Sequence, residues 1–156
     1  MKIINKDITT ISGPAIIVHG VNCDNKMGSG VAKALADKWP SVKESYHKYE
    51  PKMLGVYDSV IVNPEENILV VNAFTQQYCG TDGRRYAYLP AIVAVLTICM
   101  LAIRIEEEQD EVTLYIPKIG CGLGGLNWKE EVEPALKMLC KAFPDVNLVV
   151  CELKDD

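Results

Sequence analysis

The stretch Val21-Asn22-Cys23-Asp24-Asn25-Lys26-Met27-Gly28-Ser29-Gly30-Val31-Ala32 constrains the architecture more than any other part of the chain. The apolar run Ala15-Ile16-Ile17-Val18-His19 leads into it, and a helical pattern over residues 31–39 follows it. A strand, a polar glycine-bearing turn and a helix in that order form the repeating unit of α/β folds, and the turn is where such folds hold ligands. The first N–H groups of a helix lack internal partners and carry the positive end of its dipole, while glycine lets an anion approach the main chain. A second loop of this kind, Gly120-Cys121-Gly122-Leu123-Gly124-Gly125, lies between the strand pattern of residues 112–116 and the helical pattern of residues 128–143. If the two strands run parallel, both loops lie at their carboxyl ends and can close on one diphosphate.

The rest of the chain supplies a sheet and its covering helices. Residues 2–5, 54–62, 68–73 and 146–153 read as further strands, and Asn63-Pro64 marks the turn of a hairpin. Residues 40–49 read as a short helix with proline in its first turn, and His47 there reads as a solvated face residue. Residues 89–104 are apolar nearly all round, a helix packed on the sheet by their length, and the acidic residues 106–111 form the exposed turn after it. Residues 74–88 are too polar for core, so they form either a surface loop or one wall of the site. The order β-β-α-α-β-β-α-β-α-β predicts a mixed sheet with helices on both faces, in one domain over residues 1–156.

Composition narrows the function. The net charge of −5 argues against broad electrostatic binding to nucleic acid or anionic membrane, so backbone dipoles must hold any phosphorylated ligand. Six cysteines without a C-x-x-C pair, and only two histidines, argue against a zinc site and for reduced thiols in the cytoplasm. No signal-peptide pattern or membrane-length run is present, and no helix shows a spare apolar stripe, so a cytoplasmic monomer is expected. Neither glycine loop is a P-loop or a dinucleotide fingerprint. Two together favour an anion site over purely structural turns.

The combination His19-Gly20-Val21-Asn22-Cys23, Met27-Gly28-Ser29-Gly30-Val31-Ala32 and Ile116-Pro117-Lys118-Ile119-Gly120-Cys121-Gly122-Leu123-Gly124-Gly125-Leu126-Asn127-Trp128 resembles the macrodomain family over essentially the whole chain. The branch it resembles holds ADP-ribose 1″-phosphate phosphatases, the terminal ADP-ribose protein glycohydrolase and DNA ADP-ribosylation antitoxins. The resemblance implies a three-layer α/β/α sandwich with a mixed central sheet and a cleft for ADP-ribose. It implies that Asp7 and Ile8 meet the adenine, and that Asn22 with Met27, Gly28, Ser29, Gly30 and Val31 surrounds the distal ribose and its phosphate. Gly120, Cys121, Gly122, Leu123 and Gly124 would wrap the diphosphate, with Thr75 and Gln76 alongside. No cofactor or metal is implied.

For catalysis the resemblance points in two directions. The glycohydrolases attack the distal ribose with a lysine where this chain has Gln76, and the human-type enzyme adds an aspartate where this chain has Gly124. Glutamine forms no lysyl adduct. The phosphatases carry polar groups around the first strand and loop, which His19, Asn22 and Asp24 match. His19 either shuttles a proton or is simply a packed strand residue. Asp82 and Arg84 lie within reach of a terminal phosphate or are merely solvated. The expected activity is hydrolysis of ADP-ribose 1″-phosphate to ADP-ribose. The alternatives are a non-catalytic ADP-ribose reader and a lysine-independent hydrolase acting on ADP-ribosylated protein or nucleic acid.

Overall fold

The computed structural model describes residues 1–105 and 111–154. Six strands form one sheet in the order β1-β6-β5-β2-β4-β3. They are β1 (Lys2–Asn5), β2 (Ala15–Asn22), β3 (Tyr57–Asn63), β4 (Ile68–Gln76), β5 (Thr113–Ile116) and β6 (Asn147–Glu152). Every neighbouring pair is parallel except β3 with β4, the antiparallel hairpin predicted around residues 63–67. The helices are α1 (Gly30–Lys38), α2 (Ser41–Lys48), α3 (Leu89–Ile105) and α4 (Glu133–Ala142), the last preceded by a π turn over Trp128–Val132.

The strands read as continuous apolar runs because the sheet is buried on both faces. Alternate residues therefore enter different cores. Ile17, Val70 and Val149 pack with Leu35, Val42 and Tyr46 beneath α1 and α2. Val18, Val71 and Val150 pack with Ile92, Leu96, Leu136 and Leu139 beneath α3 and α4. The result is the expected α/β/α layering.

Chain direction then places the site. Strands β2 and β5 are parallel neighbours, paired from Ala15 with Thr113 to Ile17 with Tyr115. After β2 the chain crosses one face through α1 and α2, and after β5 it crosses the other through α4. Two loops that leave neighbouring strands for opposite faces open a crevice between them, the usual ligand position in an open α/β sheet.

Three readings need adjustment. Strand β2 continues through Asn22 and β4 through Gln76, so Phe74, Thr75 and Gln76 are strand and only residues 77–88 form the connecting segment. Their polarity suggested a loop, yet Phe74 and Thr75 are buried, Tyr88 N donates to Thr75 O, and Gln76 bridges to Ala87. Helix α3 is more apolar than one-sided packing requires, and it exposes Ile98, Leu101 and Ile105 along its outer face. A spare apolar stripe is therefore present, and the premise for the monomer falls. The acidic turn at residues 106–110 lies outside the described residues. Among the described residues no helix is long and apolar enough to cross a membrane.

Candidate functional site

The two glycine loops face each other across one cleft of about 520 Å³. Its lining includes Asn22, Met27, Gly28, Ser29, Gly30 and Val31 from the first loop and Gly120, Cys121, Gly122, Leu123 and Gly124 from the second. Thr75, Gln76 and Cys79 contribute from the end of β4, and Cys151, Glu152 and Leu153 from the end of β6.

The first loop is held open by polar bonds at its base. Asn22 Oδ1 accepts from Asp24 N (3.1 Å), Lys26 N (3.2 Å) and the Tyr46 hydroxyl (2.7 Å), while Asn22 Nδ2 donates to Lys26 O (2.7 Å). A buried asparagine with this many local partners works mainly as the pin of the loop. Tyr46 reaches it from α2, also donating to Asn22 O, and burial pushes its phenol up to about 12, so the hydroxyl stays a donor. His47 is not simply solvated: its Nδ1 lies 2.7 Å from Asn25 Oδ1 and ties α2 to the loop again. Ser29 stands at the N-cap of α1 without a side-chain capping bond, so its hydroxyl and the first amides of α1 are available to an anion.

The second loop is shaped by backbone. Gly120 has φ +79°, which permits Leu126 N to donate back to Gly120 O at 2.9 Å. Gly124 O accepts from both Tyr86 N and Ala87 N at 2.9 Å, which fastens residues 77–88 to the loop. The Cys121 thiol donates to Ile119 O, and burial holds its pKa up to about 11, so it is not a nucleophile at neutral pH. Lys118, just after β5, pairs at 2.8 Å with Glu152 at the end of the neighbouring β6, and it lies over the Trp128 ring.

The remaining sequence candidates divide. His19 borders the cleft but is only 1% exposed, with Nε2 2.5 Å from Asn72 Oδ1. Burial pushes its pKa down to about 4, so the ring is neutral at physiological pH. Asp24 stands outside the lining, paired with Lys26 at 3.1 Å. Asp7 and Ile8 lie just beyond the β6 end of the cleft, where Lys6 N donates to Glu152 O. Asp7 caps the turn at Thr9, whose backbone N–H and hydroxyl both donate to its Oδ1 and keep its carboxyl below the usual range. Gln76 Nε2 is occupied by Tyr78 O at 2.8 Å. Asp82 and Arg84 pair with each other at 3.2 Å, away from the lining. Sequence reading missed Tyr46, Asn72 and the Lys118–Glu152 pair. Only Lys118, two residues before the second loop, carried a signal. Among the described residues no cluster of His, Cys, Asp and Glu is placed to hold a metal.

No family model matches the chain. It is 28% identical over 145 residues to an ADP-ribose 1″-phosphate phosphatase of Candida albicans, covering 88% of this chain and 92% of that one. It is 31% identical over 122 residues to a 17.5 kDa protein of bacteriophage T4, covering 72% of each. A DNA ADP-ribosyl glycohydrolase of Mycobacterium tuberculosis is 28% identical over 141 residues, covering 86% of this chain but only 37% of the relative. Among solved structures, the macrodomain of Mycobacterium tuberculosis DarG superimposes with a TM-score of 0.78 at 25% identity, covering 99% of this chain and 97% of that one.

Proposed function

The chain belongs to the macrodomain family, and from that premise we propose that it binds ADP-ribose and releases phosphate from ADP-ribose 1″-phosphate. The carrying observation is the convergence of two glycine loops from neighbouring parallel strands on one cleft. Its likeness to the Candida albicans phosphatase over most of both chains supports the choice of substrate.

In this reading the diphosphate lies between the amides of Gly120, Cys121, Gly122, Leu123 and Gly124 and the start of α1. Amide dipoles at a helix start bind an anion without a matching cation, which is how an acidic protein takes a charged nucleotide. Asp7 Oδ1 is engaged by Thr9, and its other oxygen accepts from the adenine amino group, with Ile8 N–H beside it. Lys26 and Ser29 face the distal end, where the terminal phosphate lies. Water attacks that phosphorus and the bond to the sugar oxygen breaks, giving inorganic phosphate and ADP-ribose. Asn22 shapes the loop around the reacting centre. A neutral His19 orients an O–H group; it does not shuttle protons at pH 7. One chain carries the whole cleft, and six unpaired cysteines suit a reducing cytoplasm.

A non-catalytic reader is the second reading, favoured by the burial of His19 and the local engagement of the Asn22 side chain. Phosphorus NMR of ADP-ribose 1″-phosphate mixed with the protein separates the two. The phosphatase reading expects perturbed diphosphate lines and growth of inorganic phosphate, falling about tenfold or more in His19→Ala. Perturbation without release leaves a reader, or a hydrolase of another ADP-ribose linkage. Unperturbed lines end the ADP-ribose assignment.

A further inference from the structure

Beneath the first loop a line of polar side chains runs through the core between α2 and the sheet. Ser45 Oγ donates to Asp58 Oδ1 at 2.9 Å, and Asn72 Nδ2 donates to Asp58 Oδ2 at 3.0 Å and to Val42 O at 3.2 Å. Asn72 Oδ1 then meets His19 Nε2. Asn72 is fully buried, and Asp58 and His19 nearly so.

The direction of the chain follows from its chemistry. A carbonyl and a carboxylate oxygen accept and do not donate, so the Asn72 amide must turn its NH₂ towards them and its oxygen towards His19. His19 Nε2 therefore carries the proton. A neutral imidazole has one N–H, which leaves Nδ1 with a bare lone pair. That Nδ1 is buried and has no hydrogen-bond partner among the described residues, on a residue that borders the cleft. Leaving an acceptor buried and unsatisfied costs about 1–3 kcal/mol. An aliphatic residue at this strand position would avoid that cost and would need no polar network beneath it.

We propose that Asp58 and Asn72 are positioning residues that lock His19 as its Nε2–H tautomer, so that Nδ1 is a fixed acceptor for an O–H donor at the cleft floor. That donor is a hydroxyl of the bound sugar or a water enclosed beneath it. Its identification as sugar rests on the ADP-ribose reading above. A deprotonated phosphate oxygen is unsuited to this place, because it would set lone pair against lone pair. The network thus selects for hydroxyl at this point of the ligand and leaves the anionic groups to the glycine loops.

Nitrogen NMR of the two imidazole rings tests this, with His47→Gln used to assign the His19 signals. The expected result between pH 6 and 8 is a protonated Nε2 and an unprotonated Nδ1. An Nδ1 displaced towards the hydrogen-bonded range only on adding ADP-ribose assigns the donor to the sugar. Displacement already present without ligand, and unchanged by it, assigns the donor to enclosed water. Asn72→Leu removes the acceptor on Nε2, so the ring is no longer held as its Nε2–H tautomer, a protonated Nδ1 should appear, and ADP-ribose affinity should fall about tenfold. Protonated Nδ1 in the wild-type ring overturns the proposal, whether or not Asn72→Leu folds. So does an Nδ1 without a hydrogen bond while phosphorus spectra show ADP-ribose bound. Unmoved phosphorus lines instead overturn the ADP-ribose reading, and the tautomer is decided separately.

Discussion

Gly124→Asp is expected to destabilise the protein by about 3 kcal/mol or more and to abolish ADP-ribose binding, without creating a glycohydrolase. Overpacking a filled site costs roughly 1–3 kcal/mol, and burying a carboxylate among carbonyl oxygens adds to that. A Cβ at this position would stand 2.6 Å from Gly120 O and 2.8 Å from the Ala87 Cβ. Neither neighbour yields easily, because Gly120 O is held by Leu126 N, while Ala87 N and Tyr86 N are both fixed on Gly124 O. The loop would have to open to admit the side chain. Gly122→Ala is the control, since its Cβ meets nothing within 4 Å and should shift stability by less than about 1 kcal/mol. Urea denaturation of both variants beside the wild type measures the difference. A Gly124→Asp protein as stable as the wild type would contradict the packing described here.

Acidification should weaken the fold through His19 before the carboxylates contribute. Its pKa is about 4 in the folded protein and about 6.5 in the unfolded chain, so between those values the unfolded state binds a proton that the folded state refuses. The stability is fully present above about pH 6.5 and falls as pH drops towards 4. The limiting slope is about 1.4 kcal/mol per pH unit, for a total of about 3 kcal/mol. The carboxyl groups with lowered pKa, including Asp7, Asp82, Glu131, Asp145 and Glu152, begin to contribute only towards the foot of that window and below it. Urea midpoints measured from pH 7.5 to 4.5 should therefore fall in the wild type and stay nearly flat in His19→Gln, whose amide can still donate to Asn72. Parallel curves for the two proteins would place the acid sensitivity elsewhere.

These two positions also show what the sequence could convey. The element order was legible because strands buried on both faces read as unbroken apolar runs and the helices begin or end at Gly30, Pro40 and Pro144. The glycine loops were legible because few residues other than glycine allow such close backbone approach. The end of β4 was not, because Thr75 and Gln76 look like loop residues until the strands beside them are known. The Ser45, Asp58, Asn72 and His19 chain was hidden for a related reason. Its members lie on four different elements, and a single asparagine inside the run of residues 68–73 carries no pattern of its own. Gly124 was noted for the aspartate it replaces. Only the packing of Ala87 and Gly120 around it explains why that replacement is not a simple exchange.

Titrating ADP-ribose into ¹⁵N-labelled protein and following the backbone amides tests most directly whether the two loops form one nucleotide site. The amides of Gly28, Ser29, Gly30 and Val31 should move together with those of Gly120, Cys121, Gly122, Leu123 and Gly124, at a common midpoint. Those of Ile98 and Leu101 on the outer face of α3 should stay in place. Amides that do not respond, or that respond at one loop only, would contradict a shared diphosphate site.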